Sequence, residues 1–332
     1  MSMKKRTTAV FLSLICILAL ASGGNAADYP KFDNVKSSVG TGTVGGGQYV
    51  YMGGVAQCVN RNVPGLELIM EATSGSGGNL ALLQSRELGI ASIESAIASN
   101  GMNGIGLAEG QKPFPEVRAL FSSLPTHFGI WTLDPNITDI TQLAGKRVAV
   151  GPYNGSTDIS SRNVFKFLGI ECEIIHLGWG DCFVALGEGR LDAVTGSSIH
   201  PAPGILELET KQKINFVSFT KAQIDALTKQ FPYYKVVTIP ASVYGSLEKD
   251  YVTVGAWQGV YTHEDEDEDL IYAITKAVIE NLNILEATHS GGKTTRLENI
   301  GEQPIPLHKG AYRYYLEKGA AVPPELLPTG TK

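Results

Sequence analysis

Short apolar runs alternate along the chain with glycine-rich turns and with segments whose apolar residues recur at helical spacing. The first unit runs from residues 37–40 through a turn at 42–47 into Tyr51, Val55 and Val59. A second takes residues 66–72 through Thr73-Ser74-Gly75-Ser76-Gly77-Gly78-Asn79 into Leu80, Leu82 and Leu83. A third takes residues 147–150 through Gly151-Pro152-Tyr153-Asn154-Gly155-Ser156-Thr157 into Ile159, Val164 and Phe167. Repeated strand–turn–helix units predict an α/β fold. Their unequal spacing and dissimilar sequences exclude a solenoid.

Two irregular passages interrupt this pattern. Asp134-Pro135-Asn136 precedes a fresh unit at 137–143, a strand at 173–177, a helix around 183–186 and an apolar run at 191–195. Phe231-Pro232-Tyr233-Tyr234 precedes a strand at 235–239. Helical spacing then returns as a long pattern at 269–285 and a short one at 311–317. The stretch between the passages is long enough to form its own lobe. The expected organisation is lobe 1 from 27–126 plus 238–332, lobe 2 from 127–237, and two crossings between them.

The N-terminus adds a destination. Lys4, Lys5 and Arg6 precede a weakly polar-to-apolar run over 7–20, followed by small residues through Ala27. This order reads as a secretory signal peptide over 1–26, cleaved after Ala26 or alternatively after Ala27. The run is shorter than the roughly 20 residues of a membrane span. Bulky Ile15 before Cys16 argues against a lipid anchor. The mature chain is therefore expected to be exported to the periplasm, and no later segment is long and apolar enough to cross a bilayer.

The 27 Lys and Arg of the whole chain, less the three in the leader, leave 24 against 33 Asp and Glu, a mature net charge of −9. An acidic surface repels phosphate backbones, so nucleic acid is excluded as a partner. Cys58, Cys172 and Cys182 remain after cleavage, an odd number that cannot complete a disulfide framework. Cys172 and Cys182 fall at opposite ends of one strand-and-turn unit and are expected to stay unpaired.

Chemistry enters through the glycine turns. Gly40-Thr41-Gly42-Thr43-Val44-Gly45 satisfies the G-x-G-x-x-G fingerprint of a dinucleotide-binding turn, and Glu71 stands near the expected acidic position. An exported chain meets little soluble dinucleotide, however, and three glycines in six positions arise readily among 38. All three turns share a simpler property. Each leaves the first N–H groups of a helix unpaired, with partial positive charge and room for close approach, which suits a carboxylate or phosphate.

Enzymatic groupings are thin. His127, His176, His200, His263, His289 and His308 show no metal-ligand spacing. Ser156 lacks the nucleophile-elbow pattern. Cys182 follows Asp181 at a predicted helix start, where burial as a structural residue is the preferred reading. The acidic run 264–269 reads as a solvated helix start favoured by the dipole, without calcium-loop spacing. Neither a cofactor nor a catalytic centre is expected.

Ordered local motifs then carry a family resemblance over residues 37–323. They are Gly40-Thr41-Gly42 through Gly47 and Tyr49; Glu71-Ala72-Thr73-Ser74-Gly75 with Gly77, Asn79 and Leu80; and Gly145-Lys146-Arg147-Val148-Ala149-Val150-Gly151. His200-Pro201-Ala202-Pro203, Phe231-Pro232-Tyr233-Tyr234, Ile239-Pro240-Ala241 and Val252-Thr253-Val254-Gly255 follow, then Pro306-Leu307-His308 with Gly310, Tyr314 and Tyr315. The chain resembles the TAXI family, the extracytoplasmic solute receptors of tripartite ATP-independent periplasmic (TRAP) transporters.

The resemblance implies a two-lobed, type II-like periplasmic-binding-protein fold that hinges at crossings near 124–131 and 234–240. It also implies a small carboxylate ligand, glutamate-like or a dicarboxylate, and delivery to TRAP permease subunits. Ligand contacts are expected from Thr43, Val44, Tyr49, Thr73, Ser76, Asn79, Glu94 and Ser95 in lobe 1. Lobe 2 is expected to add Asn154, Gly155, Ser156 and Thr157, with Ser197 and His200. His200 is open between ligand contact, helix capping and packing beneath the site, while Trp179 and Trp257 are expected in the core. One departure stands out, because the family usually has Gln at the position of Glu94 and Asp at that of Ala96. A carboxylate there would repel an acid unless it is protonated, meets a ligand amine, or is exposed outside the pocket. The runner-up functions are an exported enzyme acting on a small anion and a dinucleotide-binding oxidoreductase.

Overall fold

A computed structural model describes residues 29–105, 112–231 and 233–330, so the predicted signal segment and Pro232 lie outside the described residues. The chain first builds β1 (Val35–Gly40), α1 (Gly47–Asn62), β2 (Leu66–Glu71), α2 (Ser76–Gln84), β3 (Ile90–Glu94), α3 (Ser95–Asn103) and β4 (Val117–Pro125). A second series follows as β5 (His127–Thr132), β6 (Arg147–Ala149), α4 (Ser156–Leu168), β7 (Glu173–Ile175), α5 (Trp179–Gly187) and β8 (Ala193–Ser198). It continues with α6 (Pro203–Glu209), β9 (Asn215–Phe216), α7 (Lys221–Gln230), β10 (Lys235–Ile239) and β11 (Tyr251–Gly255). Finally come β12 (Trp257–His263), α8 (Glu268–Glu280), α9 (Leu282–Thr288) and α10 (Lys309–Glu317).

These strands form two five-stranded sheets, ordered β2-β1-β3-β12-β4 and β7-β6-β8-β5-β9, and a separate β10-β11 ribbon. In each sheet a strand carried in from the other half of the pattern runs antiparallel to a parallel set: β12 beside β3, and β5 beside β8. Central β3 is buried at every residue, as expected of a strand covered on both faces, whereas edge strand β2 mixes buried and exposed positions. Tyr51, Met52, Val55, Cys58 and Val59 give α1 its buried face, so the predicted apolar positions pack as their spacing required.

The chain leaves the first sheet between β4 and β5 at Thr126, inside the predicted crossing, and returns between β11 and β12 at Ala256. The return differs from the expected 234–240. Val254 and Ala256 share a core with Phe128 and Val148, and Ile239, Tyr244 and Tyr251 share one with Trp131 and Phe183. The whole ribbon thus packs on the second sheet, and a division at 237/238 would cut through it. The crossings lie side by side: the Thr126 amide donates to the Ala256 carbonyl at 2.7 Å and its hydroxyl reaches the same oxygen at 3.1 Å. Gly255 permits this approach, because a Cβ there would come within 2.1 Å of the Thr126 carbonyl oxygen.

Three local expectations are refined. The helix predicted over 269–285 breaks at Asn281, whose side-chain amide donates back to the Ala277 carbonyl at 2.8 Å and ends α8. Residues 137–143 contain one 3-10 turn, Ile140–Leu143, closed by an Asp139/Gln142 capping box. The acidic run does serve a helix start: Asp267 caps α8 by accepting from the Leu270 amide at 2.8 Å, with Glu268 and Asp269 in its first turn. It also binds α10, since Arg313 pairs with Glu268 at 2.9 Å and Asp269 at 2.7 Å. Cys58, Cys172 and Cys182 are free thiols.

Candidate functional site

A cleft lies where the two sheets' turns meet, with Thr126 in its lining. One wall is the turn after β1, contributing Gly42, Thr43, Gly46 and Gly47, with Gln48 from the first turn of α1. The facing wall is Gly155, Ser156 and Thr157 at the start of α4, Trp179 of α5, and Ser197, Ser198 and Ile199 from the end of β8. Among the described residues, no Lys, Arg, Asp or Glu lines it. The residues that precede α1 and α4 at the N-cap are Gly46 and Gly155, neither of which supplies a side-chain cap. Two helix starts from different sheets therefore present N–H groups and dipole charge to the same uncharged space.

The third glycine turn behaves differently. At the start of α2 the Gly77 amide donates to the Asn154 carbonyl of the opposite turn at 3.1 Å, and the Ser76 hydroxyl accepts from the Glu94 amide at 2.9 Å. The contact is close enough that a Cβ on Gly77 would sit 2.4 Å from the Asn154 oxygen, and one on Gly155 2.7 Å from the Ser74 oxygen. Asn154 meets this demand with a left-handed φ of 60°. The expectation that all three helix starts face the ligand is corrected to two, because the opposite unit fills the third.

Buried Asp158, one turn into α4, stiffens that wall. It accepts from the Asn154 amide at 2.8 Å and pairs with Arg162 at 2.8 Å and His176 at 3.0 Å. On the opposite wall, Gln48 donates to the Gln258 side chain at 2.8 Å, fixing one amide against the other.

Of the residues singled out from sequence, Thr43, Gly155, Ser156, Thr157 and Ser197 line the cleft. Val44 points away, 72% exposed, and half-buried Tyr49 lies outside the lining. Thr73 shapes its loop, accepting from the Gly75 amide at 3.1 Å and donating to the Thr41 carbonyl at 3.2 Å. Asn79 is wholly buried and donates to the carbonyls of Thr41 and Ser92, each at 2.7 Å. Asn154 ties the two units together through its carbonyl, which accepts from the Gly77 amide. Ser76 bonds Glu94 within the first unit, and Ser95 is buried in the first turn of α3. His200 packs outside the lining, 2.6 Å from the Tyr244 hydroxyl, and burial drives its pKa well down.

Sequence reasoning missed Gln48, Ser74, Thr126, Ser198, Ile199 and Gln258. Gln48 stood within the glycine-rich stretch and Thr126 within the predicted crossing, so a local signal existed for both. Trp179 was expected in the core; it rests edge-on against Trp131 and Phe183 but also reaches the cleft. Half-buried Trp257 stays outside the lining.

Glu94 lies beneath the cleft floor and is 1% exposed, which removes the exposed reading. Its Oε2 is 3.3 Å from the Thr126 hydroxyl, which in turn accepts from Ser197 at 2.9 Å. Desolvation raises its pKa to about 7, with hydrogen bonds from Ser197 and Thr126 opposing the rise.

The same architecture occurs in solved structures of low identity. MatC of Rhodopseudomonas palustris, solved with bound malate, superposes with a TM-score of 0.52 at 14% identity, over 78% of this chain and 89% of its own. A Listeria monocytogenes protein assigned to L-cystine ABC transport gives 0.51 at 16% identity, over 81% and 99%. A Bordetella bronchiseptica protein gives 0.50 at 14% identity, over 91% and 87%. The fold is thus that of periplasmic binding proteins, as expected from the sequence. Residues 39–319 match the NMT1-like family, and the chain belongs to it.

Proposed function

We propose that this protein is an extracytoplasmic solute receptor of the TAXI type, which captures a small carboxylate between two lobes and delivers it to the permease of a TRAP transporter. The observation that carries the reading is the pair of uncapped helix starts, α1 and α4, facing one another across an uncharged cleft. A carboxylate there gains charge-assisted hydrogen bonds from N–H groups and from Thr43, Ser156, Thr157 and Ser197 without an opposing side-chain charge. Of the remaining predicted residues, Tyr49, Thr73, Ser76, Asn79, Glu94, Ser95, Asn154 and His200 act by supporting and closing these walls, and Val44 lies on the exposed surface. The side-by-side crossings at Thr126 and Ala256 form the hinge, and the N-terminal signal pattern sends the chain to the periplasm.

Thermal denaturation of the mature protein with malate, 2-oxoglutarate, L-glutamate, other amino acids and NAD tests this reading. Saturable stabilisation by one or more small acids, with no chemical turnover, is expected. A shift with NAD alone overturns it. Uptake by cells carrying the partner permease should follow an ion gradient and persist when ATP is depleted; dependence on ATP would assign an ABC transporter instead.

A further inference from the structure

Glu94 is a buried acid with no counter-cation among the described residues, held where the two units meet. Its backbone belongs to the first sheet, opposite Gln258 in the β3–β12 ladder, and its amide is fixed by Ser76 at the start of α2. Its carboxyl group contacts the crossing residue Thr126, and that hydroxyl is tied to Ser197 of the second sheet. The other titratable groups acting through its charge are the phenols Tyr233 and Tyr234, from the loop after α7, and Tyr261 of β12. All three are neutral acids near pH 7, and no Lys, Arg or His among the described residues pairs with Glu94.

The hydroxyl chain accommodates the protonated acid fully. Thr126 donates to the Glu94 carboxylate at 3.3 Å and accepts from Ser197. On protonation the first bond reverses, Glu94 donating to Thr126 Oγ while Thr126 keeps the Ala256 carbonyl as its acceptor. An ionised Glu94 would hold a charge in a dry interface, and an anionic solute at the α1 and α4 starts would add a second negative charge nearby.

We propose that Glu94 makes solute capture proton-linked: as the units close on an anionic solute, the Glu94 carboxylate takes one proton from solvent and enters the interface as the neutral acid. The proposal rests on the reading of this protein as a closing receptor for small acids. Only an O–H bond forms, at the carboxylate oxygen, and the proton returns to solvent on opening. In the open state the carboxyl is hydrated and titrates near an ordinary glutamate, so capture at neutral pH draws in a proton.

Calorimetric titration with malate, 2-oxoglutarate and L-glutamate, in buffers of different ionisation enthalpy between pH 5 and 8, reads the proton directly. The expected result is uptake approaching one proton per bound acid, with affinity falling up to tenfold per pH unit as the pH rises. Glu94→Gln, which keeps size and hydrogen bonding, should bind with no proton uptake and a flat pH profile. If this variant does not fold, the buffer dependence of the wild type still decides. Binding without uptake, proton release, or an unchanged pH profile in Glu94→Gln overturns the proposal while leaving the receptor reading intact. Absence of binding by all three acids at every pH overturns both.

Discussion

The turns that open α1 and α2 are both rich in Gly with Thr, the second adding Ser, yet they end in different roles. The α1 start looks into the cleft beside Thr43 and Gln48, whereas the α2 start is closed by the Asn154 carbonyl from across the molecule. A helix start is a property of a few consecutive residues; what satisfies its N–H groups is a property of whatever the fold brings opposite. The open starts are suited to a ligand, and the closed one fastens the units that surround it.

The strongest way to break this contrast is to occupy an open start from within. Ser156→Asp places a carboxylate at the beginning of α4, where it competes with the solute and repels it. Like charges so juxtaposed cost several kcal/mol, so binding of small acids should weaken on the order of 100-fold or more while the circular-dichroism spectrum is unchanged.

The closed start has a buried acid as its neighbour, which gives the contrast a pH signature. With the units closed, burial pushes Glu94 up to about 7, against about 4.3 when unfolded. The folded state therefore binds more protons, and this group's contribution to stability is present below about pH 4.3 and lost as the pH rises through 7. Relative to wild type, Glu94→Gln should gain about 3 kcal/mol between pH 4 and 8 in urea unfolding with solute at saturation, which keeps the units closed. A constant difference across that range would show that Glu94 does not titrate there.

Gly77→Ala probes the fastening itself. Its Cβ would meet the Asn154 oxygen at 2.4 Å, and overpacking of this kind costs about 1–3 kcal/mol. Because the strain falls on the closed arrangement, affinity should drop about tenfold or more with the ranking of acids preserved. A changed ranking would mean that α2 contacts the solute after all. The smallest effect is expected from Asn154→Gly, since Asn tolerates the left-handed conformation and the carbonyl that closes α2 belongs to the backbone. A change under about 1 kcal/mol in stability is expected from chemical denaturation.

Much of the architecture was legible in sequence because strands, turns and helix starts are written in short-range periodicity. The strand at 235–239 and the buried face of α1 follow directly from such patterns. The break at Asn281 was missed because apolar spacing continues through it while a side-chain amide competes for the backbone. The ribbon's allegiance to the second sheet was also illegible, since Tyr251 and Val254 have the same pattern whichever core receives them. In the cleft, the glycine turns announced Thr43 and residues 155–157, but Gln258 carried no local signal. It reaches the site by pairing with Gln48 from 210 positions away.

By itself the sequence determined the α/β alternation, the location of the helix starts and the absence of charge from the turns that form them, all consequences of backbone conformation over a few residues. Tertiary structure alone decided which helix starts remain open, where the chain returns between sheets, and that Glu94 is enclosed rather than solvated. Those outcomes depend on contacts between distant segments, and on the water those contacts exclude.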